Sequence, residues 1–253
     1  MIDIEMHRNV GVLRIEHGKA NAMDLELCEA ITARLEEHRH SSVEALVLTG
    51  QGQIFSAGVD LLRVLDGGAA YLAVFLPALS KAFETLFCFP KPVVAAINGH
   101  AIAGGCVLAC AADYRIMAQH TGRIGVPELL VGIPFPTVAV EIMRCVTAPE
   151  HFQTLLYGGA TLEPEDAAHR GLVDETAEPT KLLDLALAKA QSLTALPAAA
   201  FELTKRQIHE PMMRRVREDA PRFDAIVRDL WASPPGLAAI RSYVDRTFKR
   251  APK

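Results

Sequence analysis

Residues 93–106 read VVAAINGHAIAGGC, and the fold can be deduced outward from this stretch. Its first part, Val93–Ile97, is a continuous apolar run between Pro92 and Asn98, which is typical of a strand buried on both faces of a parallel sheet. The paired glycines that follow open a predicted helix, from Gly105 to about Ala112. Amides in the first turn of a helix lack partners and carry partial positive charge, and glycine allows a ligand to approach them closely.

A second glycine turn lies earlier in the chain, at FSAGVDL (55–61), after the apolar run 46–50. Here Asp60 is placed to cap the helix that follows, and such a turn can leave the amide of Val59 unpaired. Glycines at helix starts are more often packing devices, so either turn alone is weak evidence of a site. The dinucleotide pattern GxGxxG and the phosphate-binding pattern GxxxxGK[ST] are both absent.

The remaining pattern predicts an α/β core followed by helices. Short apolar runs predict strands at Val10–Ile15, Ala45–Leu48 and Tyr114–Met117, and helical spacing predicts a helix at Leu25–Glu37. Alternating strands and helices indicate crossover connections and a largely parallel sheet. We predict a core at residues 1–195 and a helical region at 196–253. From about Glu163 onward the predicted helices, separated by prolines, are Lys181–Leu196, Ala198–His209, Pro221–Trp231 and Leu237–Phe248.

Composition excludes several classes of protein. Of 253 residues, 50% are hydrophobic and 22% charged, which is sufficient for a large core, and the net charge of −4 gives no footprint for nucleic acid. Five cysteines without a CxxC pair favour a reducing compartment, so we expect a cytoplasmic protein. The acidic N-terminus is not a signal peptide, and Asn98 and His100 interrupt the apolar stretch 92–112, so no membrane association is expected.

Four motifs in fixed order resemble the crotonase (enoyl-CoA hydratase/isomerase) superfamily. They are FSAGVDL (55–61), AAINGHAIAGGCVLACAADYRI (95–116), IGVPELLVGI (124–133) and AAHRGLVDE (167–175). The resemblance extends from about Val10 to the C-terminus. It implies a crotonase-like (ClpP/crotonase) α/β spiral of ββα units, with a C-terminal helical part that covers the active site and joins subunits. It also implies a homotrimer or hexamer that acts on an acyl-CoA, with no cofactor beyond the coenzyme A of the substrate.

The same resemblance assigns the binding residues. The backbone amides of Val59 and Gly104 correspond to the family's oxyanion hole, which holds the thioester oxygen. Two preorganised donors stabilise an enolate more than a carbonyl, and losing one donor typically costs about 3–4 kcal/mol of barrier. The resemblance places coenzyme A or substrate contacts at Ala57, Asp60, Leu61, Gly105 and Pro134.

One departure from the hydratase pattern decides the expected reaction. Hydratases of the superfamily have two glutamates, and this chain has Val107 at the first position and Glu128 at the second. Adding water needs two acid–base groups, whereas moving a double bond needs one base of raised pKa. The string GGCVLACAADYRI resembles monofunctional Δ3,Δ2-enoyl-CoA isomerases. We therefore expect a 3-enoyl-CoA to 2-enoyl-CoA isomerase with Glu128 as the base.

Three other functions stay open at this point. They are hydration with a different partner, hydrolysis or decarboxylation of an acyl-CoA, and non-catalytic binding of an acyl-CoA. Glu128 has a plain alternative role as a helix-start glutamate after Pro127, and Glu141 is a reserve candidate for the base. The stretch Leu62–Leu79 is expected to line the acyl pocket, with Gly67-Gly68 as either a mobile lid or a simple loop.

Other chemistry has little support. Cys106 near a helix start could be a nucleophile, but no partner histidine is identifiable. The chain has no GxSxG elbow and no HExxH metal pattern, so neither a serine hydrolase nor a metal site is expected. Lys205, Lys249 and Arg250 are either contacts for coenzyme A phosphates or solvated surface.

Overall fold

The computed structural model of the protein describes residues 1–248. Within them the strands are β1 Ile2–His7, β2 Val10–Ile15, β3 Ala45–Gly50, β4 Ile54–Ser56, β5 Val93–Ile97, β6 His100–Ile102, β7 Tyr114–Ala118, β8 Ile124–Gly125, β9 Thr161–Leu162 and β10 Glu175–Ala177. The helices are α1 Leu25–Arg39, α2 Leu61–Phe87, α3 Gly104–Cys110, α4 Glu128–Val131, α5 Thr137–Val146, α6 Pro149–Gly158, α7 Pro164–His169, α8 Leu182–Thr194, α9 Ala198–Ala232 and α10 Pro234–Phe248, with a 3₁₀ turn at Pro179–Lys181.

The inner strands of the larger sheet, β2, β3, β5 and β7, are buried on both faces, as the apolar runs predict. The strand order of this sheet is β1-β2-β3-β5-β7-β10, and every pair except β1–β2 is parallel. Successive side chains of a strand face opposite sides. In β3, Leu46 and Leu48 therefore join the core that includes α1, α2 and α3, while Ala45 and Val47 pack with α8. The predicted parallel α/β core is confirmed.

A smaller sheet sets the two glycine turns side by side. Its strand order is β4-β6-β8-β9, and β4 pairs with β6 in parallel, with Ser56 opposite Ala101. Parallel strands end at the same edge of a sheet, so the turns after Ser56 and after Ile102 emerge together. The pairing of β4 with β6 thus brings two segments about 45 residues apart in sequence to one place.

The C-terminal helices differ from the prediction at their prolines. Pro211 and Pro221 lie inside one helix, α9, so the predicted break between Ala198–His209 and Pro221–Trp231 is wrong. Both prolines are solvent-exposed, where water can solvate the carbonyls whose helical partner is missing. The opposite face of α9 buries Val227 and Trp231 in the core, which outweighs the local cost of the prolines.

The stretch Leu62–Leu79 is helical on both sides of Gly68, so the prediction of a simple loop there is wrong. It belongs to α2, which has one kink at Gly68, where φ is 53° and ψ is −144°. Glycine tolerates this backbone conformation because it has no Cβ. By length and apolar composition α2 meets the criteria for a membrane span, with a mean hydropathy of 1.4, although ten of its side chains are buried against the rest of the protein.

Lys205 is neither surface nor a phosphate contact. Its side chain is 6% exposed, and the ammonium group forms an ion pair of 2.8 Å with Asp113. The same carboxylate accepts a hydrogen bond of 2.8 Å from the backbone of Val93, so the pair joins α9 to the start of β5. Both interpretations of Lys205 from the sequence are wrong, while Lys249 and Arg250 lie outside the described residues.

Candidate active site

The two glycine turns touch each other, and each has a free amide. Gly58 has a φ of 85°, and a Cβ there would lie 2.6 Å from the carbonyl oxygen of Ile102 and 3.3 Å from the nitrogen of Gly104. The amide of Met23 donates to the carbonyl of Gly58, and the amide of Asp60 donates to the carbonyl of Met23. The amide of Val59, between them, points the other way. Across residues 1–248, the amides of Val59 and Gly104 donate to no protein acceptor.

Asn21 and Ser56 hold the first turn in place. The side-chain amide of Asn21 donates to the carbonyls of Ile54 and Phe55, at 3.0 and 3.3 Å. The hydroxyl of Ser56 donates to the carbonyl of Asn21 at 2.8 Å and accepts from the amide of Gly58 at 3.2 Å. Asn21 has a φ of 48°, a conformation that asparagine tolerates better than most residues. Asn21 lies outside the four motifs, so they do not predict this role.

The second turn depends on an unusual alanine. Ala103 has a φ of 53° and a ψ of −125°, a sparsely populated conformation for a residue with a side chain. It reverses the chain so that Gly104 opens α3. Gly105 packs directly on Ser56, and a Cβ there would overlap the carbonyl oxygen of Ser56. The strain at Ala103 and the close packing at Gly105 together fix the position of the Gly104 amide.

These turns border an apolar cavity of about 60 Å³. Helices α2, α3, α4, α5, α9 and α10 converge around it. The lining consists of Ala57, Val59, Leu61, Leu79, Phe83, Ile102, Ala103, Gly104, Val107, Pro127, Glu128, Val131, Ile133, Pro136, Ala139, Trp231 and Tyr243. Glu128 is the one carboxylic acid among them, so any carboxylate chemistry in this cavity falls to Glu128.

Glu128 is buried, and it forms no ion pair within residues 1–248. Its residue is 7% exposed, and its Oε2 atom has no hydrogen-bond partner among the described residues. Burial raises the pKa of this carboxyl to about 8, because the apolar surroundings disfavour the charged form. Val107, at the position where hydratases have their other glutamate, lines the same cavity. A single carboxyl of raised pKa in an apolar cavity is suited to accept and return a proton.

The reserve candidate, Glu141, has a different environment. Its carboxylate is paired with Arg144 at 3.0 Å and with Arg215 at 2.6 Å. It does not line the cavity. Glu141 is therefore part of a structural ion-pair network between α5 and α9.

The structure brings together five of the eight residues predicted for the site. Ala57, Val59, Leu61, Gly104 and Glu128 all line the cavity. The other three lie beside it with different contacts. Asp60 caps α2 by accepting from the amides of Leu62 and Arg63, Gly105 packs on Ser56, and the carbonyl of Pro134 accepts from Trp231 Nε1 at 2.9 Å.

Part of the pocket wall predicted from the sequence differs from the wall in the structure. The segment 63–72 does not line the cavity, and from the stretch Leu62–Leu79 only Leu79 does. The helical geometry of α2 explains this difference, because Leu79 and Phe83, four residues apart, share the face that looks toward the site. Of the segment Pro134–Pro136, which is expected from the sequence to shape the wall, only Pro136 lines the cavity.

Two aromatic residues from the C-terminal helices complete the cavity. Trp231 of α9 and Tyr243 of α10 line it, and the motifs that identify the two turns contain neither. Cys106, in contrast, is fully buried and outside the lining. A hydrogen bond with Cys110 and burial raise the pKa of the Cys106 thiol, which argues against a nucleophilic role.

Comparison with known proteins agrees with this architecture. A profile of the enoyl-CoA hydratase/isomerase family matches residues 5–231. Crotonyl-CoA hydratase of Syntrophomonas wolfei is 31% identical over 217 residues, which is 83% of this chain and 82% of that protein. Mitochondrial enoyl-CoA delta isomerase 1 of Mus musculus is 29% identical over 222 residues, which is 87% and 75% of the two chains.

The fold is also that of a solved isomerase. The crystal structure of human mitochondrial delta3-delta2-enoyl-CoA isomerase matches with a TM-score of 0.95 over 99% of both chains, at 23% identity. The matched relatives include both a hydratase and an isomerase. With the matched profile covering most of its length, the chain belongs to the enoyl-CoA hydratase/isomerase family, whose enzymes act on acyl-CoA substrates.

Proposed function

We propose that this enzyme is an enoyl-CoA isomerase that moves a double bond from C3–C4 to C2–C3 of an acyl-CoA, with Glu128 as its base. The main support is the single unpaired carboxyl of the cavity, whose pKa burial raises to about 8. Val107, which lines the same cavity, supplies no second carboxyl. One proton-carrying group is the number that this reaction needs.

The reaction proceeds in two proton transfers. The carboxylate of Glu128 removes a proton from C2, next to the thioester carbonyl, and the electrons of that C–H bond form a dienolate. The protonated carboxyl then gives the same proton to C4, and the double bond closes between C2 and C3. No atom is gained or lost, so the enzyme needs no water and no cofactor in this cycle.

The two free amides stabilise the intermediate. Negative charge collects on the thioester oxygen in the dienolate, and the amides of Val59 and Gly104 are placed to donate to it. Such donors in a site without water contribute most when the charge is fully developed, at about 3–4 kcal/mol for one donor. Because the donors are backbone amides, Val59 can donate to the thioester oxygen although its side chain is apolar.

Hydration is the second candidate, and one observation favours it. Tyr243 is the one other cavity residue with an ionisable side chain, so it is the available partner for Glu128 in adding water. Trp231 is not available, since its N–H donates to Pro134. If hydration occurs, Tyr243→Phe should abolish it.

Glu128→Gln tests the proposed base directly. This change keeps the size of the side chain and removes the proton acceptor, so isomerisation should fall at least about 100-fold, the scale typical of general-base loss. Binding of a saturated acyl-CoA should stay within a few-fold of the wild type. Activity is measured from formation of the conjugated 2-enoyl thioester.

Glu141→Gln is the matched control. It removes a buried carboxylate that lies outside the cavity and is paired with arginines. We expect lower thermal stability and near-normal turnover per folded molecule. Wild-type activity in Glu128→Gln, or a loss of equal size in Glu141→Gln, would exclude Glu128 as the base.

A further inference from the structure

The cavity beside Glu128 is too small for a long acyl chain. Its volume of about 60 Å³ corresponds to roughly four to six water molecules, since one water needs about 10–15 Å³ on the same measure. That space holds the reacting carbons and little more. A longer chain must continue elsewhere.

A groove of about 280 Å³ adjoins this cavity between α2 and α9. It is lined by Leu76, Pro77, Ser80, Pro136, Ala220, Pro221, Asp224, Ala225, Val227 and Arg228. Pro136 lines both the cavity and the groove, and so forms their common boundary.

Helical spacing shows that the groove continues the cavity. On α2, Leu79 lines the cavity and Leu76 lines the groove, three residues apart. On α9, Trp231 lines the cavity and Val227 lines the groove, four residues apart. Residues three or four apart lie on the same helix face, about 5 Å from each other along the axis. The same two helix faces therefore border both spaces, one turn apart.

The lining of the groove fits an alkyl chain better than a charged ligand. Leu76 and Val227 are buried apolar residues within it. The Oδ1 atom of Asp224 already accepts from the amide and the hydroxyl of Thr137, at 2.8 and 2.6 Å. Arg228 is paired with its neighbour Asp229 at 3.4 Å. The side chains that recognise charge are thus engaged with other protein groups.

We propose that the groove between α2 and α9 binds the distal part of a long acyl chain, and that the enzyme prefers long-chain over short-chain acyl-CoA. This inference rests on the proposed action on enoyl-CoA, with the thioester held between Val59 and Gly104. The chain extends past Glu128, crosses the edge at Pro136 and lies against Leu76 and Val227. The groove then determines the selectivity for acyl chain length, and the cavity holds the carbons that react.

Calorimetric titration with saturated hexanoyl-CoA and dodecanoyl-CoA tests the groove without any turnover. In the wild type, dodecanoyl-CoA should bind at least about 10-fold more tightly, since burying two extra methylenes suffices for such a difference. Ala225→Trp fills the groove and should weaken dodecanoyl-CoA binding at least about 10-fold, with hexanoyl-CoA binding changed less than about 2-fold. Ala199→Trp, at an exposed position in the first turn of the same helix, is the matched control and should change neither.

Ser80→Phe obstructs the groove from the opposite wall, on α2. It should reproduce the selective loss, and it covers the case in which Ala225→Trp does not fold. Unchanged dodecanoyl-CoA binding in a folded Ala225→Trp or Ser80→Phe protein would overturn the inference, as would equal binding of both chain lengths by the wild type. The binding measurements do not depend on isomerase activity. If the groove binds the acyl chain but the proposed reaction is wrong, tighter binding of dodecanoyl-CoA will be seen without turnover of a 3-enoyl-CoA.

Discussion

Glu128 should control the pH dependence of turnover. Its carboxyl has a pKa raised to about 8 by burial, and only the ionised form can accept a proton. The value of kcat/KM should therefore rise about tenfold for each pH unit at acidic to neutral pH and level off above about pH 8. A pH–rate profile measured with a 3-enoyl-CoA checks this expectation. A profile that is flat between pH 6 and 9 would contradict it.

The same burial should make Glu128→Gln more stable than the wild type at alkaline pH. The folded-state pKa is above the unfolded value, so the protonated carboxyl favours the native state, and this contribution is complete below about pH 4.5. It is lost as the pH rises through about 8, where a charge is forced into the cavity. Thermal unfolding at pH 5 and pH 9 should show a Tm advantage of Glu128→Gln that is larger at pH 9. An equal Tm difference between Glu128→Gln and the wild type at both pH values would show that ionisation of the buried carboxyl does not cause it.

Gly58→Ala should damage the oxyanion site more than it damages the fold. A Cβ would meet the carbonyl oxygen of Ile102 at 2.6 Å and push the first turn away from Gly104. Losing a well-placed donor costs roughly 10²–10³ in kcat. Gly52→Ala is the matched control, because Gly52 also has a positive φ, of 65°, and an added Cβ meets nothing within 4 Å. Equal kcat values for the two variants would argue against the role of this turn.

At the level of single residues, motifs predict those residues of the site that lie within one short, recognisable stretch of sequence. Val59, Gly104 and Glu128 each belong to a recognisable string. The support for the first turn from Asn21 depends on hydrogen bonds to Ile54 and Phe55, which lie 33 and 34 residues further along the chain, and no local pattern reveals them. Trp231 reaches the cavity only because α9 folds back over the core. Such long-range placement is decided by packing, so it cannot be derived from short stretches.

Among the elements, the long helix α9 should depend on its buried ion pair. Lys205→Ala leaves the carboxylate of Asp113 buried without a cation, which typically costs about 3–5 kcal/mol. Urea unfolding should show a loss of this order in the free energy of unfolding. Arg217→Ala is the control, since it breaks an exposed pair with Glu210 and should cost less than about 1 kcal/mol. Equal small losses would mean that the pair does not anchor α9.

The strands follow from local pattern better than the helices do. Val10–Ile15 and Val93–Ile97 are confirmed at both ends. Val93–Ile97 is the clearer case, because a strand buried on both faces favours an unbroken apolar run. Prolines and glycines inside the helices predict helix ends that the structure does not have. Pro211 and Pro221 are tolerated on the exposed side of α9, and Gly68 kinks α2 without ending it. In both helices tertiary burial of the opposite face overrides the local preference.

For the whole molecule, an exposed apolar stripe on α9 predicts self-association. Phe223, Ile226 and Leu230 are 44%, 48% and 51% exposed, and their spacing of three and four residues places them on one face. Exposed apolar patches commonly mark protein–protein contacts. We expect a homotrimer or hexamer by light scattering. Ile226→Glu should shift the mass toward the monomer, and a monomeric wild type would contradict this expectation.

The central claim is that one carboxyl limits this enzyme to moving a double bond. The most direct test is a side-by-side assay of the purified protein with a 3-enoyl-CoA and a 2-enoyl-CoA, in which conjugation and hydration are followed separately. With Val107 in place of a second carboxyl, conjugation of the 3-enoyl-CoA is the predicted result, with no hydration of the 2-enoyl-CoA. Hydration at a rate comparable to isomerisation, or binding without conjugation, would contradict the claim.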